Sequence, residues 1–464
     1  MGGKSEKLYD AITNIGDDLI EDAQRTPVRR HRVMRWIRPA AAAALCLAVI
    51  LIGNSVLGRS ALTAYAISEA VYPEKTSTFP KNDRGYEEQM GGFLTVSIPE
   101  FLSETGGKNR VYSPVNVYIA LSMLAEVTDG ESRSQILSLL GTENIEAQRE
   151  LSREVWENIY YDGEYGKTVL ANSLWLNQEI NFVPETMDTL AKDYYVSPYQ
   201  GEMGSDKFDR AFRTWLNEQT GGFLKDQTKG EAFEEDTCMT IASCVYFRGK
   251  WQYKFKSSNT AMGVFHGAER EINCDFMNQK KMKGTYFWGE KFGAVRQNFM
   301  NGSSMWYFLP DEGITAEELI QDEEFLSFAA EYNGRSVYQG WGKEKEVFIN
   351  LSVPKFDISS GVDLIPGLKK LGVTDVMDFI VSDYSPMTKA TDLVWLSGAE
   401  QVTRVTVDED GCTAVAYVKL INGVGSSEPP DDEIDFVLDR PFIFMIAGKD
   451  STPLFVGIVN NPSE

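Results

Sequence analysis

The chain predicts an α+β domain, and three observations carry that expectation. Helical patterns crowd the first half of the folded body, runs rich in β-branched and aromatic residues fill the second, and the two never settle into the regular alternation of a doubly wound sheet. The composition is globular: 464 residues with 43% apolar and 12% aromatic content against 24% charge can bury a large core, which excludes disorder for the bulk of the chain.

The elements follow in order. "YSPVNVYIALSMLAEVTDG" offers Ser113 as an N-cap and Pro114 at the first helical position, and its all-round apolar character predicts a buried helix. "GESRSQILSLLG" predicts a second helix stopped at Gly141. "IEAQRELSREVWENIYY" is a third, and "FDRAFRTWLNEQTGGFLKD" a fourth that ends at Gly221 and Gly222. Strand patterns then take over: "TVLANSLWLN", "CMTIASCVYF", "EVFINLSVPKFDI", "QVTRVTVDE", "PFIFMIAG" and "PLFVGIVN". The last two, joined by "KDST", predict a hairpin close to residue 464.

The first ninety residues have their own organisation. Residues 1–38 are acidic and then arginine-rich, with six arginines from Arg25 to Arg38, and 39–58 form an uncharged run about one bilayer core in length. This pattern reads as a single-pass membrane anchor. The positive side stays inside, so 1–38 are expected in the cytoplasm, 59–90 as a linker, and a folded domain, 91–464, outside the cell. The rival reading is a leader cleaved near the small residues Ala64 to Ala66, which would release the body as a secreted protein.

Charge and rare residues exclude several function classes. The net charge is −23, and the first 60 residues are slightly basic, so the body is more acidic still and nucleic acid is not an expected partner. Cys46, Cys238, Cys244, Cys274 and Cys412 have no metal-type spacing and support no disulfide framework. His31 sits in the basic cluster, leaving His266 as the one histidine of the body, and no Gly-x-Ser-x-Gly elbow occurs. Neither an enzyme active site nor a metal or other cofactor is expected.

The most informative stretch is "VDEDGCTAVAYVKLINGVGSSEPPDDE", Val407 to Glu433. It continues a strand, alternates as a strand would from Gly411 to Ile421 without an acid or a proline, and then ends in Gly, Ser, Pro and acid. A plain disordered connection explains the tail, where Pro429 and Pro430 cannot donate to a ladder, but not the alternation.

Several spaced motifs resemble the serpin family over about Gly91 to Glu464. They are the Ser-Pro start of the first helix, "TWLNEQTGGFLKD", "VYFRGKWQYKF", "YFLPDEG", "VPKFDI", and the closing pair "DRPFIFMI" and "PLFVGIVNNP", all in serpin order. The resemblance implies a serpin fold, a helix cluster packed on large mixed β-sheets with an exposed reactive-centre loop, here in a membrane-anchored, bacterial-type member. It further implies a monomeric suicide-substrate inhibitor of a serine protease: the target cuts the loop, and the loop's amino-terminal part inserts as a new sheet strand before the acyl-enzyme is hydrolysed.

By the same resemblance the hinge comprises Glu409, Gly411, Cys412 (where the family has threonine), Thr413, Ala414, Val415 and Ala416. The shutter beneath the sheet comprises Ser113, Asn116 (often serine) and Gln401 (often histidine), and Trp251 is the breach tryptophan. The severed bond is expected within Asn422 to Ser427, at Val424, Gly425 or Ser426, although counting back from "DRPF" moves it toward Pro430. None of the three is basic or aromatic, which points to an elastase-like or subtilisin-like target.

Strand physics agrees with insertion. Cys412, Ala414, Ala416 and Val418 share one face, all small or apolar, while Thr413, Val415, Tyr417 and Lys419 share the other. Inserting about 15 residues at about 3.3 Å each carries an attached protease about 50 Å. Two alternatives remain: a non-inhibitory serpin-fold binding protein, against which the small hinge face speaks, and a surface hydrolase, against which the histidine count speaks.

Overall fold

The computed structural model describes residues 85–464 apart from 104, 269, 333–340, 390–393 and 413–429. The segment 1–84, with the expected anchor at 39–58, lies outside the described residues; among the described ones, no helix is long and apolar enough to cross a membrane.

Helix α1 (Gly85–Leu102) opens the fold inside the stretch expected to be linker. Two glycines and an internal Pro99 hide it from propensity, but Met90, Phe93, Leu94, Ile98, Phe101 and Leu102 are buried, so tertiary contact holds it. β1 (Arg110–Tyr112) leads to α2 (Pro114–Glu126), whose residues are buried in twelve of thirteen positions, as the apolar run predicts. α3 (Gly130–Leu140) ends where Gly141 adopts φ 77°, returning its N–H to Leu137 and Ser138.

After α4 (Ile145–Ile159) come β2 (Tyr161–Gly163), β3 (Gly166–Asn177), α5 (Pro184–Asp193), β4 (Val196–Gly201) and α6 (Asp206–Gln219), the last capped by the Ser205 side chain. β5 (Met239–Lys250), β6 (Ala261–His266), β7 (Glu271–Trp288), β8 (Phe292–Asn298) and β9 (Ser304–Pro310) follow. The apolar run "EVFINLSVPKFDI" is two strands rather than one: β10 (Glu344–Pro354) and β11 (Phe356–Asp363) belong to different sheets. Pro354 has no N–H to continue the ladder, and the chain crosses between sheets at Lys355. β12 (Glu400–Val407), the two-residue β13 (Gly411–Cys412), β14 (Glu433–Val437), β15 (Phe442–Ala447) and β16 (Pro453–Val459) complete the chain, the last two as the expected hairpin.

Among the described residues the strands form two sheets. Seven make a sheet ordered β11-β12-β13-β5-β3-β2 with β4 parallel to β3, and nine make a sheet ordered β1-β16-β15-β9-β8-β7-β10-β14 with β6 on β7. α2 packs against β5 of the first and β16 of the second, so its apolar surface is consumed on both sides. On the opposite face of the first sheet, α6 buries Phe208, Phe212 and Trp215 against Trp175 of β3, with ring centroids 5.2, 5.2 and 6.5 Å away. Edge-to-face pairs of this kind contribute about 1 kcal/mol each beyond their burial.

Candidate functional site

The centre of the smaller sheet is incomplete. β3 and β5 pair continuously from Gly166–Gly249 to Leu176–Met239. On its other side, among the described residues, β5 meets only β13, through Gly411–Lys250 and Cys412–Gly249, and β13 meets β12 at Val407–Cys412. Beyond Cys412, a solvent-open cleft of about 600 Å³ runs between Ser243–Phe247 of β5 and Val402–Thr406 of β12. Such a slot is bordered by strand edges carrying backbone donors and acceptors, which is the template for adding a strand.

The floor of the slot is a polar chain that spans it. Gln401 on β12 accepts from the Ser113 N–H at 2.8 Å, and its amide donates to the Ser113 carbonyl at 2.9 Å and to Asn116 Oδ1 at 3.1 Å. Asn116 in turn donates to Ser243 Oγ at 2.8 Å, Ser243 to Asn172 Oδ1 at 2.7 Å, and Asn172 to the Tyr194 carbonyl at 2.9 Å. Three carboxamides, Gln401, Asn116 and Asn172, each both donor and acceptor, thus link β12 to β5 and β3 through the start of α2. Ser113 occupies the N-cap position, as expected, but its side chain does not cap the helix; the hydroxyl donates to Leu454 O on β16 at 2.6 Å. Sequence reasoning placed Ser113, Asn116 and Gln401 together and missed Ser243 and Asn172, whose signal was a polar residue interrupting each of two apolar strand runs, "ANSLW" and "IASC".

A strap crosses the roof. Arg404 on β12 is bidentate to Asp357 and donates to the Phe223 carbonyl at 3.0 Å, its guanidinium lying 4.6 Å over the Phe223 ring. The turn after α6 is thereby tied across the slot.

The mouth is tightly held. Trp251, 1% exposed, donates from its indole to the Asp408 carbonyl at 2.8 Å and from its backbone to Asp410 O at 3.2 Å, and it stacks on Phe299 at 4.5 Å. Asp408 Oδ1 accepts from the N–H groups of Asp410 and Gly411. Glu409 accepts from Thr260 Oγ1 at 2.8 Å and pairs with Lys355 at 3.0 Å. Partial burial pushes the Glu409 carboxyl up, but the hydrogen bonds from Thr260 and Lys355 outweigh it and hold the group below its ordinary range. Gly411 has φ 152°, and a Cβ there would collide with the Gly249 carbonyl oxygen, so the entry residue must be glycine. Cys412 is buried, and that burial, together with Asp408, pushes its thiol up to about 12.

Of the other expected site residues, Thr413, Ala414, Val415 and Ala416 and the bond candidates Val424, Gly425 and Ser426 lie outside the described residues. The ends of that segment are described: Cys412 lies in the smaller sheet, and Glu433 begins β14, which pairs parallel to β10 in the larger.

A family model described as Serpin (serine protease inhibitor) matches residues 93–462. The chain belongs to the serpin family. Among relatives of this serpin, Serpin-ZX of Arabidopsis thaliana is 24% identical over 375 residues, covering 76% of this chain and 92% of the relative. An alpha-1-antitrypsin-like protein of Ictidomys tridecemlineatus is 25% identical over 370 residues, covering 78% and 84%. The first of these relatives is a plant protein and the second a mammalian one. Among solved structures, the native state of the thermophilic serpin tengpin superposes with a TM-score of 0.72 at 21% identity, covering 86% of this chain and 99% of that one. Thyroxine-binding globulin in complex with thyroxine does so at 0.67 and 18%, covering 81% and 99%. At these identities the superpositions establish the fold alone, and the last is by its name a thyroxine-binding protein.

Proposed function

We propose that this serpin is a suicide-substrate inhibitor of serine proteases with elastase-like or subtilisin-like preference. The observation that carries the reading is the strand position between β5 and β12, which among the described residues is entered by β13 alone. Continued along both neighbours in its present register, the chain after Cys412 would put Ala414 between Phe247 and Val405, Ala416 between Val245 and Thr403, and Val418 between Ser243 and Gln401. These are the core-facing positions of β12, where Gln401, Thr403, Val405 and Val407 are buried. Small apolar residues fit there without stranding a polar group.

The two tethers explain why cleavage is needed. The far end of 413–432 is held at Glu433, opposite Phe348 of β10, and the near end by the ion pair of Lys355 with Glu409, so both ends of the segment are tied to the body. Inserting 413–427 would carry residue 427 about 50 Å down the slot. The five residues left before Glu433 reach back at most about 18 Å. A cut within 422–427 removes that restraint. The target's serine oxygen attacks the carbonyl carbon at the bait bond, the C–N bond breaks with a proton delivered to the new amino terminus, and the ester-linked protease is drawn along with the inserting strand.

Membrane attachment through 39–58, an extracellular body, the bacterial type and a monomeric state belong to the same proposal. The anchor and its orientation are supported by the six arginines preceding an uncharged run, and the bacterial type and the monomeric state rest on the family resemblance alone.

The test is to mix the full chain in detergent with pancreatic elastase or subtilisin. The expected result is a conjugate stable to boiling in dodecyl sulfate, with the cut mapped within Asn422 to Ser427. The cleaved product should also melt roughly 20 °C higher, since about ten new ladder bonds contribute about 1 kcal/mol each and each kcal/mol is worth about 2 °C. Clean cleavage without conjugate and without added stability would instead leave the serpin-fold binding protein as the reading.

A further inference from the structure

The larger sheet contains a fork. β7 pairs with β8 only from Tyr286–Val295 to Trp288–Gly293, while its long partnership is with β10, from Phe276 to Phe287. β8 follows β9 over its whole length. Where β7 and β8 part, a cleft opens to solvent between Met282 to Thr285 of β7 and Arg296 to Asn298 of β8.

Its lining is lopsided. Lys283 and Arg296 bring two positive charges, Gln252 and Asn298 add neutral polar groups, and Met282 and Phe287 supply an apolar wall. Among the described residues that line the cleft there is no carboxylate, in a chain of net charge −23. The Arg296 guanidinium lies 5.3 Å from the centre of the Trp306 ring, which orients it, and Phe287 packs edge-on against the same ring at 5.1 Å. Lys283 pairs at 3.5 Å with an exposed Glu346, a contact weak enough to be exchanged for an incoming anion.

We propose that this fork binds a small apolar carboxylate, and that occupancy steadies the hinge. The coupling is short. Gln252 N–H donates to Asn298 O at 2.8 Å, and the residues next to this pair, Trp251 and Phe299, form the stack whose indole and backbone hold Asp408 and Asp410. A ligand bridging the walls of the fork braces that stack, and with it the entry of Cys412 into the sheet. The site requires no protease and stands apart from the inhibitory reading.

Calorimetry on the full chain with 1-naphthaleneacetate and its uncharged amide, 1-naphthaleneacetamide, tests the site. The acid should bind at least tenfold tighter than the amide, and the double variant Lys283→Gln/Arg296→Gln should equalise them. Alkylation of Cys412 by iodoacetamide, followed by peptide mass spectrometry, should slow at least threefold when the acid saturates the wild type and stay unchanged in the double variant. Equal affinity of the wild type for acid and amide would overturn the site. Saturation with no change at Cys412 would overturn its link to the hinge.

Discussion

The two flanks of β5 are built in opposite ways. Toward β3 the strand carries a ladder of eleven residue pairs, sealed above by the Trp175 cluster of α6. Toward β12 it has two pairs with β13, and then the join passes to side chains: the Gln401–Asn116–Ser243 bridge below and the Arg404–Phe223 strap above. Backbone ladders are cooperative and cannot be opened one bond at a time without exposing the next. Side-chain bridges can be exchanged singly, because each amide finds another partner or water. Among the described residues, the side toward β12 is the flank of β5 that carries no continuous ladder.

The largest expected effect comes from spoiling the strand that would fill the open flank. Ala416→Arg would place a cation against Val245 and Thr403 in the core-facing layer, at a penalty of several kcal/mol for an unpaired buried charge. The variant should then be cut as a plain substrate, with the yield of stable conjugate falling at least tenfold in a stoichiometry titration. Undiminished conjugate would mean that the register of β13 does not continue.

A smaller effect tests the bridge itself. Gln401→Leu leaves the Ser113 N–H and Asn116 Oδ1 without their partner, while the Ser113 carbonyl keeps the Val117 N–H, and buried unpaired groups lose about 1–3 kcal/mol. Melting should drop by several degrees, and hydrogen exchange should rise at Ser243 to Phe247 while staying slow at Val169 to Leu174 of β3. Equal acceleration on both flanks would erase the contrast between them.

The smallest effect is acid-dependent. Glu409 has its carboxyl held below the ordinary glutamate value of 4.5, so its contribution is fully present above that value and is lost as pH falls through the lower, folded-state value. Hinge opening, read as Cys412 alkylation corrected for thiolate content, should therefore rise on acidification below pH 4.5, and Glu409→Gln should flatten the response. A response unchanged in Glu409→Gln would assign the acid dependence to other carboxylates.

Much of this organisation was legible in the chain. The buried helix after Ser113, the stop at Gly141 and the closing hairpin follow from local periodicity and capping, which act over a few residues, and the family order followed from the resemblance of the motifs. The grouping of Ser113, Asn116 and Gln401 followed from the family resemblance. Less was visible at longer range. α1 has weak propensity and exists through burial of one face, the split at Pro354 depends on which sheet each half joins, and the choice of Leu454 over the helix end by the Ser113 hydroxyl depends on β16 passing beside it. Ser243, Asn172, Arg404 and Phe223 lie far apart in the chain, and nothing local pairs them.

The alternation of small and apolar residues after Gly411 is written in the chain alone, because side-chain period in a strand is a local property of the backbone. Tertiary packing was needed to set β5 and β12 apart with a slot between them, to bring Gly411 closer to the Gly249 carbonyl than any Cβ allows, and to fork β7 from β8 around the cleft that Lys283 and Arg296 line. Those are facts about distances between segments remote in sequence, set by how the layers pack around α2, and no window along the chain contains them.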